Sequence, residues 1–239
     1  MDKTDPFAAT IPAPTATRPL LGLTVLVIED SRFACEAMRL LCLRSGARIR
    51  RADCLRSARR HLQVYRPSVV IVDLGLPDGS GVDLITELTQ TEPRVDVVLA
   101  TSGDLDGDEV SMAAGADGFL EKPITSLAAF QQAILCNLPA DRQPTGLREL
   151  SDEVIHPDRM AFQDDMAHIA DVLQDPADDR ALDYVAQFLG GVARSAQDDV
   201  LEKAATDLAK RRAAGESAET EATAVASLIQ ERLTQKIAI

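Results

Sequence analysis

Carboxylates that end apolar runs are the residues of this chain whose types and spacing could do chemistry. The apolar, β-branched run at residues 69–72 ends at Asp73. A second apolar run, at residues 23–28, ends at Glu29 and Asp30. Such runs are typical of strands buried in a parallel sheet, and open α/β sheets bind ligands at the carboxyl ends of their strands. We therefore predict that the three carboxylates meet at one sheet edge, although Asp73 alone could simply cap a turn.

A divalent cation is the expected partner of this carboxylate group. Three negative charges so close together cannot all stay ionised unless a cation joins them. Oxygen-only ligands suit Mg²⁺, which keeps several waters and takes few protein carboxylates. Glu29, Asp30 and Asp73 are thus the predicted metal ligands.

Two more predicted strands end in residues that complete a phosphoryl-transfer site. One, at residues 95–101, ends in the hydroxyl of Thr101, and the other, at residues 117–121, is followed by Lys122 and Pro123. In the predicted chemistry Asp73 attacks a phosphorus atom, and Mg²⁺ and Lys122 neutralise the phosphoryl oxygens. Thr101 donates a hydrogen bond to one of those oxygens.

With these residues in place, residues 22 to about 138 resemble the receiver domain of two-component response regulators. The matching residues are Glu29, Asp30, Asp73, Pro77 four positions after Asp73, Thr101, Phe119 three positions before the lysine, Lys122 and Pro123. The resemblance implies a flavodoxin-like fold, with a doubly wound, five-stranded parallel sheet.

The same resemblance implies roles for individual residues. Asp73 is the expected phosphoacceptor, and a histidine kinase or a histidine phosphotransfer protein is the expected donor. The backbone carbonyl of Gly75 is a further expected metal ligand. Thr101 and Phe119 are the expected switch residues, the hydroxyl moving towards the phosphate and the ring turning inward. The only expected catalysis is Mg²⁺-dependent phosphorylation and dephosphorylation of the receiver itself, so the chain is not otherwise predicted to be an enzyme.

Two departures from the family pattern concern the site. The segment from Thr101 to Lys122 is one residue shorter than is common, so Ser102 competes with Thr101 as the hydroxyl donor. Gly75 occupies a position whose side chain, in the family, influences how long the aspartyl phosphate lasts. The glycine leaves that side of the site open and makes the lifetime uncertain.

Composition narrows the function classes. The chain has 239 residues, 46% apolar residues and a net charge of −13. No apolar run reaches membrane-spanning length, and the amino terminus lacks a secretion-signal pattern, so we predict a cytoplasmic protein without membrane contact. From residue 145 to the end, 10 Lys and Arg face 19 Asp and Glu, a net charge of −9. Binding to phosphate backbones needs basic residues, so no nucleic-acid partner is expected.

The pattern along the chain divides it into four parts. Residues 1–20 are rich in Ala, Thr and Pro and predict a flexible arm, residues 21–138 form the receiver, and residues 139–157 read as a linker. Residues 158–239 lose strand signals and predict an all-α bundle of three or four helices. In this bundle the apolar positions from Leu182 to Ala193 continue at Val200 to Leu208, which leaves open one long helix or two.

One stretch of the bundle, residues 186–193, faintly resembles the phosphorylated helix of histidine-containing phosphotransfer domains. Gln187 stands where the histidine would be, and Gly190 replaces the usual lysine, so the domain would be degenerate. The simpler interpretation is that Gly190 and Gly191 mark a close helix crossing or a kink. His168, on the preceding helix, is a weaker candidate phosphoacceptor.

Together these observations predict a response regulator. Its acidic helical domain is expected to act through contacts with an unknown protein target. Whether the chain forms a homodimer stays open at this point. The alternative prediction is a phosphorelay intermediate or a phosphate sink whose helical domain docks a kinase.

Overall fold

The computed structural model describes residues 13–104, 106–144, 150–174 and 179–235 of the chain. Alternating strands and helices come first, and a run of helices follows. Within these ranges the elements are β1 (Thr24–Ile28), α1 (Arg32–Ser45), β2 (Arg48–Ala52), α2 (Leu55–Val64), β3 (Val69–Asp73), β4 (Gly75–Leu76), β5 (Gly79–Ser80), α3 (Gly81–Gln90), β6 (Val97–Ser102), α4 (Gly107–Ala113), β7 (Gly118–Glu121), α5 (Leu127–Leu135), a 3-10 turn (Ala140–Arg142), α6 (Arg159–Gln174), α7 (Asp179–Ser195), α8 (Asp199–Ala213) and α9 (Glu219–Thr234).

A five-stranded parallel sheet forms the first half of the chain. Its strand order is β2-β1-β3-β6-β7, and β4 and β5 form a separate antiparallel pair. Alternate residues of the strands enter two apolar cores: α1 and α5 pack on one face, and α2 and α3 on the other. The predicted doubly wound, flavodoxin-like fold and the helical domain after it are confirmed.

The helical region has an apolar core of its own. In this core α7 packs on α8, α6 packs on α9, and Met166, Leu189 and Leu208 are fully buried. The long-helix option is wrong, because α7 ends at Ser195 and α8 begins at Asp199. Gln197 has a positive φ of 57° in the connection, and the Asp198 side chain caps α8 by accepting the N–H of Leu201 at 3.1 Å.

The expected close helix crossing at the glycine pair is also wrong. Apart from α7 itself, no described atom lies within 4 Å of a Cβ built on Gly190 or Gly191. Both glycines border an open cavity between α7 and the sheet, while their neighbours Leu189 and Val192 face the bundle core. The missing side chains therefore widen the cavity and do not bring two helices together.

Residues outside both predicted receiver boundaries join the receiver core. Leu20, the last residue of the predicted arm, is fully buried. Ile155, in the predicted linker, is 4% exposed. Ile155 donates its N–H to the carbonyl of Thr125 at 2.8 Å, which ties the segment before α6 to the receiver. Residues 1–12 and 145–149 lie outside the described residues.

Cys35 and Cys42 are buried free thiols, whereas Cys136 is a free thiol at the surface. None of the described helices has both the length and the apolar character that a bilayer crossing requires.

Candidate functional site

The carboxyl edge of the sheet brings the predicted acidic residues together. Glu29 and Asp30 directly follow β1, Asp73 is the last residue of β3, and β1 and β3 are neighbours in the sheet. One carboxylate oxygen from each residue lies within 4.8 Å of the others. Glu29 and Asp73 are buried and Asp30 is half-buried. Because the strands are parallel and in register, their ends deliver all three charges to one point.

Lys122 provides the positive charge at this point. Its Nζ lies 2.7 Å from Glu29 Oε2 and 3.0 Å from Asp73 Oδ2, and only 7% of its side chain is exposed. The residue follows β7, at the same edge of the sheet, and the peptide bond between Lys122 and Pro123 is cis. One ammonium against three carboxylates leaves the ionised cluster with a net charge of −2.

The pKa values of the cluster reflect this imbalance. Burial and then the charge of Asp73 raise the pKa of Glu29 well above its ordinary value, against the opposing effect of Lys122. Burial and then Asp73 also raise the pKa of Asp30 to about 7. Burial lowers the pKa of Lys122, but the charges of Asp73 and Glu29 outweigh it and the net shift is upward. The Lys122 ammonium therefore keeps its proton, while Glu29 and Asp30 hold theirs more tightly than usual.

The donor set fits a divalent cation. Glu29 Oε2 is buried and accepts no well-aligned hydrogen bond from the described residues, although the Lys122 ammonium is close. Three carboxylates that share a single ammonium are the environment that Mg²⁺ relieves, because it prefers oxygen ligands and adds two positive charges.

Close backbone packing shapes the loop after the phosphoacceptor candidate. A Cβ on Gly81 would lie 2.0 Å from the carbonyl oxygen of Asp73, so only glycine lets the start of α3 approach β3 this closely. Gly75, two residues after Asp73, pairs with Ser80 in the short β4–β5 hairpin and is half-buried.

The two candidate hydroxyl donors have different surroundings. Thr101 is fully buried and donates its hydroxyl to the carbonyl of Leu120 at 2.7 Å. Ser102 borders the cavity and accepts the N–H of Asp104 at 3.0 Å. The Phe119 ring packs over Gly107, at the start of α4, and is half-buried.

The helical bundle lies over this site, and an open cavity of about 990 Å³ remains between the two. Three residues of α7 reach the receiver here. The Tyr184 hydroxyl donates to Asp30 Oδ2 at 2.9 Å, the Gln187 side chain borders the cavity beside Gly75, and Arg194 donates to the carbonyl of Gly103. The cavity thus has the carboxylate cluster on one wall and α7 with part of α8 on the other.

A buried acid of the bundle, Asp165 on α6, holds the start of α1. Its carboxylate accepts the Ser31 hydroxyl at 2.7 Å, the Arg32 N–H at 2.8 Å and the Phe33 N–H at 3.1 Å. An acid at this position satisfies free N–H groups of the first turn and complements the helix dipole. Because α1 directly follows Asp30, this contact couples the bundle to the acidic strand end.

We expect Asp165→Ala to lower the free energy of unfolding by about 1–3 kcal/mol, because two backbone N–H groups and a hydroxyl lose a charged acceptor. The matched control is Asp164→Ala, which removes only the exposed ion pair with Arg32 and should change stability by less than about 1 kcal/mol. Urea denaturation of both variants measures the difference. Equal stability losses would contradict the proposed contribution of the Asp165 contact.

Sequence reasoning identified the receiver residues but missed the bundle residues at the site. Asp165, Tyr184 and Arg194 belong to no motif. In the sequence they look like ordinary surface residues, far along the chain from the acidic cluster. His168 is exposed, and its Nε2 lies 3.2 Å from the Tyr184 hydroxyl, outside the residues that border the cavity. The structure thus gives the cavity position to Gln187.

Comparisons with known proteins find a family model and relatives that match part of the chain. The family model described as a response regulator receiver domain matches residues 25–134. The KDP operon transcriptional regulatory protein KdpE of Escherichia coli is 30% identical over 133 residues, which cover 55% of this chain and 59% of that protein. The virulence transcriptional regulatory protein PhoP of Salmonella typhimurium is 30% identical over 148 residues, which cover 56% of this chain and 66% of that protein.

This chain therefore spans less than two thirds of the length of either curated relative. Among solved structures, the signal receiver domain of a DNA binding response regulator protein (merR) from Colwellia psychrerythraea 34H is similar, with 26% identity and a TM-score of 0.43. That match covers 47% of this chain and 94% of the other.

Proposed function

Residues 25–134 of this chain are a response regulator receiver domain, and from this premise we propose that the chain accepts a phosphoryl group on Asp73. The observation that carries the proposal is the buried ion pair of Asp73 with Lys122, 3.0 Å apart at the edge of an open cavity. A carboxylate held next to a fixed positive charge is an oxygen nucleophile beside a group that stabilises the incoming phosphoryl oxygens.

In the proposed reaction an oxygen of Asp73 attacks the phosphorus atom of the donor. A new oxygen–phosphorus bond forms, and the donor's leaving group departs with the electron pair of the bond that breaks. Lys122 keeps its proton throughout and neutralises phosphoryl oxygens by charge. The upward shift of the Lys122 pKa agrees with this role, because it keeps the side chain as an ammonium that does not act as a proton donor.

We propose that Glu29, Asp30 and Asp73 hold Mg²⁺ together with the backbone carbonyl of Gly75. When bound, the ion supplies positive charge against the transferred phosphoryl oxygens. The hydrogen bond from Tyr184 occupies one lone pair of Asp30 Oδ2 and orients that carboxylate. A residue of the bundle would thereby help to position a metal ligand of the receiver.

For the switch we propose Thr101 as the hydroxyl donor and Phe119 as the aromatic partner. Thr101 would exchange its hydrogen bond to the Leu120 carbonyl for one to the phosphoryl group, and Phe119 would move from its place over Gly107. Ser102 is the competing hydroxyl, because it borders the cavity.

Receiver domains interact with histidine kinases or histidine phosphotransfer proteins, and we propose that one of these is the donor here. The chain's own chemistry would be limited to gaining and losing this phosphoryl group. The cytoplasmic location, the unknown protein target, and the relay-intermediate or phosphate-sink alternative stay predictions.

The experiment for this function is labelling of the full chain with a small acyl-phosphate donor and Mg²⁺. We expect one phosphoryl group per chain, lost on treatment with base and mapped by mass spectrometry to Asp73. Labelling of a histidine or of another acid, with Asp73 unmodified, would overturn the proposal.

The helical region is proposed to signal through protein contacts rather than through DNA. Its charge is −9 from residue 145 onward. Its basic cluster in sequence is residues 210–212, and two of these three cations form ion pairs: Arg211 pairs with Glu216 and Glu221, and Arg212 pairs with Asp183. The two relatives are named as transcriptional regulatory proteins, but this chain matches only part of their length, so their regulation of transcription is not carried over to it.

We expect no binding to duplex DNA at physiological salt, with or without phosphorylation, because the helical region carries a net charge of −9 and repels phosphates. Fluorescence anisotropy with a random-sequence duplex measures this, and a basic DNA-binding domain serves as the positive control. Binding at micromolar concentration that weakens steeply with salt would contradict the expectation.

A homodimer through exposed apolar residues, among them Met160 and Val200, is a separate proposal. Sedimentation of the phosphorylated chain tests it.

A further inference from the structure

A glutamine of the helical bundle occupies space that only a glycine could leave beside the phosphoacceptor. A Cβ built on Gly75 would lie 2.2 Å from Gln187 Nε2, 2.6 Å from Cδ and 3.1 Å from Oε1. Gly75 is two residues after Asp73, and Gln187, Asp73 and Lys122 border the same cavity. The side chain that the receiver lacks at this position is therefore replaced by one from α7.

Contacts on both sides hold this part of α7 against the receiver. Tyr184, one turn before Gln187, donates to Asp30, and Arg194, two turns after it, donates to the carbonyl of Gly103. These three residues lie on one face of the helix, since they are separated by three and seven positions. The Gln187 amide has no hydrogen-bond partner among the described residues, and its side chain is exposed to the solvent of the cavity.

We propose that Gln187 positions the water molecule that hydrolyses the phosphoryl group on Asp73, so that the bundle accelerates dephosphorylation of its own receiver. This inference rests on the proposed function of Asp73. An amide suits the task because its oxygen accepts a hydrogen bond from the water while its N–H donates to a phosphoryl oxygen. Phosphoryl transfer depends mainly on such positioning and on charge, and an amide can orient water without exchanging a proton.

The hydrolysis step balances without any further reactant. The water oxygen attacks phosphorus, the bond between phosphorus and the Asp73 oxygen breaks, and Asp73 leaves as a carboxylate with the electron pair. Both protons of the water end on the released phosphate, which departs as H₂PO₄⁻. Lys122 stays paired with the regenerated carboxylate, as in the structure.

The test follows the decay of the phosphorylated full chain after removal of the small acyl-phosphate donor. We expect Gln187→Ala to lengthen the half-life of the phosphoryl group about tenfold or more, since a positioned hydrogen-bonding group is lost. Gln187→Glu keeps the shape but loses the N–H donor and adds charge, and it should also slow the decay. The matched control is Gln230→Ala, an exposed glutamine of α9, which should decay like the wild type.

The sign of the effect separates positioning from simple coverage of the site. If Gln187 only shields the phosphoryl group, Gln187→Ala would admit water and shorten the half-life. A shorter or unchanged half-life would overturn the inference, and so would a Gln187→Glu variant that decays like the wild type. If no variant and no wild-type chain is labelled at Asp73, the proposed function itself fails.

A double substitution tests the contact directly. Gly75→Ala should displace the Gln187 amide, because the added Cβ would overlap it, and should lengthen the half-life by itself. In the Gln187→Ala background the same Gly75→Ala change should lengthen the half-life by a smaller factor than in the wild type, because the displaced group is already absent. Independent, multiplying effects of the two substitutions would show that they act through separate causes and would overturn the inference.

Discussion

Asp73→Asn is expected to take up no phosphoryl group under conditions in which the wild-type chain gains one. The substitution keeps the size of the side chain but replaces the anionic oxygen by an amide, which is too weak a nucleophile to attack phosphorus. Lys122 keeps Glu29 as its partner at 2.7 Å, so the variant retains a paired ammonium. Mass spectrometry of the intact chain measures the gain, and peptide mapping finds its position.

The fold of this variant should be retained, because one of three crowded negative charges is removed. Its unfolding midpoint without metal is therefore expected to equal or exceed that of the wild type. Asp83→Asn, at an exposed position of α3 outside the cluster, is the matched control and should label normally. Undiminished label on Asp73→Asn would contradict the assignment, and a label moved to Asp30 would show that any acid of the cluster can react.

The parts of the fold that could be predicted are those with a strong local pattern. The buried strands β1 and β3 consist of apolar runs that end in acids, and both were located from the sequence. The strand β2 has the sequence Arg-Ile-Arg-Arg-Ala, lies at the sheet edge and exposes most of its residues. Only the fold class required such a strand, because an edge strand needs no continuous apolar run.

The parts of the site that could not be predicted depend on contacts between distant segments. Residues at strand ends meet because parallel strands deliver them to one edge, so Glu29, Asp73 and Lys122 could be grouped from the sequence. Asp165 and Tyr184 meet the receiver only through the docking of the bundle, more than 130 residues along the chain from their partners. Open space beside Gly190 has no sequence signature either, because a glycine serves both close packing and a cavity wall.

Mg²⁺ is expected to stabilise the chain at neutral pH and to have little effect near pH 4. Burial and Asp73 raise the pKa of Asp30 from 3.8 to about 7, and burial also raises that of Glu29. As the pH rises, an acid with a higher pKa in the folded state loses its proton at a lower pH in the unfolded chain than in the folded one. Between the two pKa values the folded state therefore binds more protons. Without metal, the free energy of unfolding should therefore fall as the pH rises from about 4 to 7 and then level off.

Metal binding reverses this trend, because ligands must be deprotonated to bind and the bound ion then stabilises their charge. At a hundredfold excess over its Kd, Mg²⁺ adds about 2.7 kcal/mol to the free energy of unfolding. For a chain of this size that raises the unfolding midpoint by roughly 5–10 °C. Scanning calorimetry between pH 4 and pH 8, with NaCl of equal ionic strength as the reference, measures the shift.

Asp30→Asn should reduce the Mg²⁺ shift and flatten the pH dependence. Asp171→Asn, at an exposed position of α6, should leave both unchanged. A Mg²⁺ shift that is absent at pH 7, or equally large at pH 4, would show that the three carboxylates do not form the metal site, since only their deprotonated forms can hold the ion.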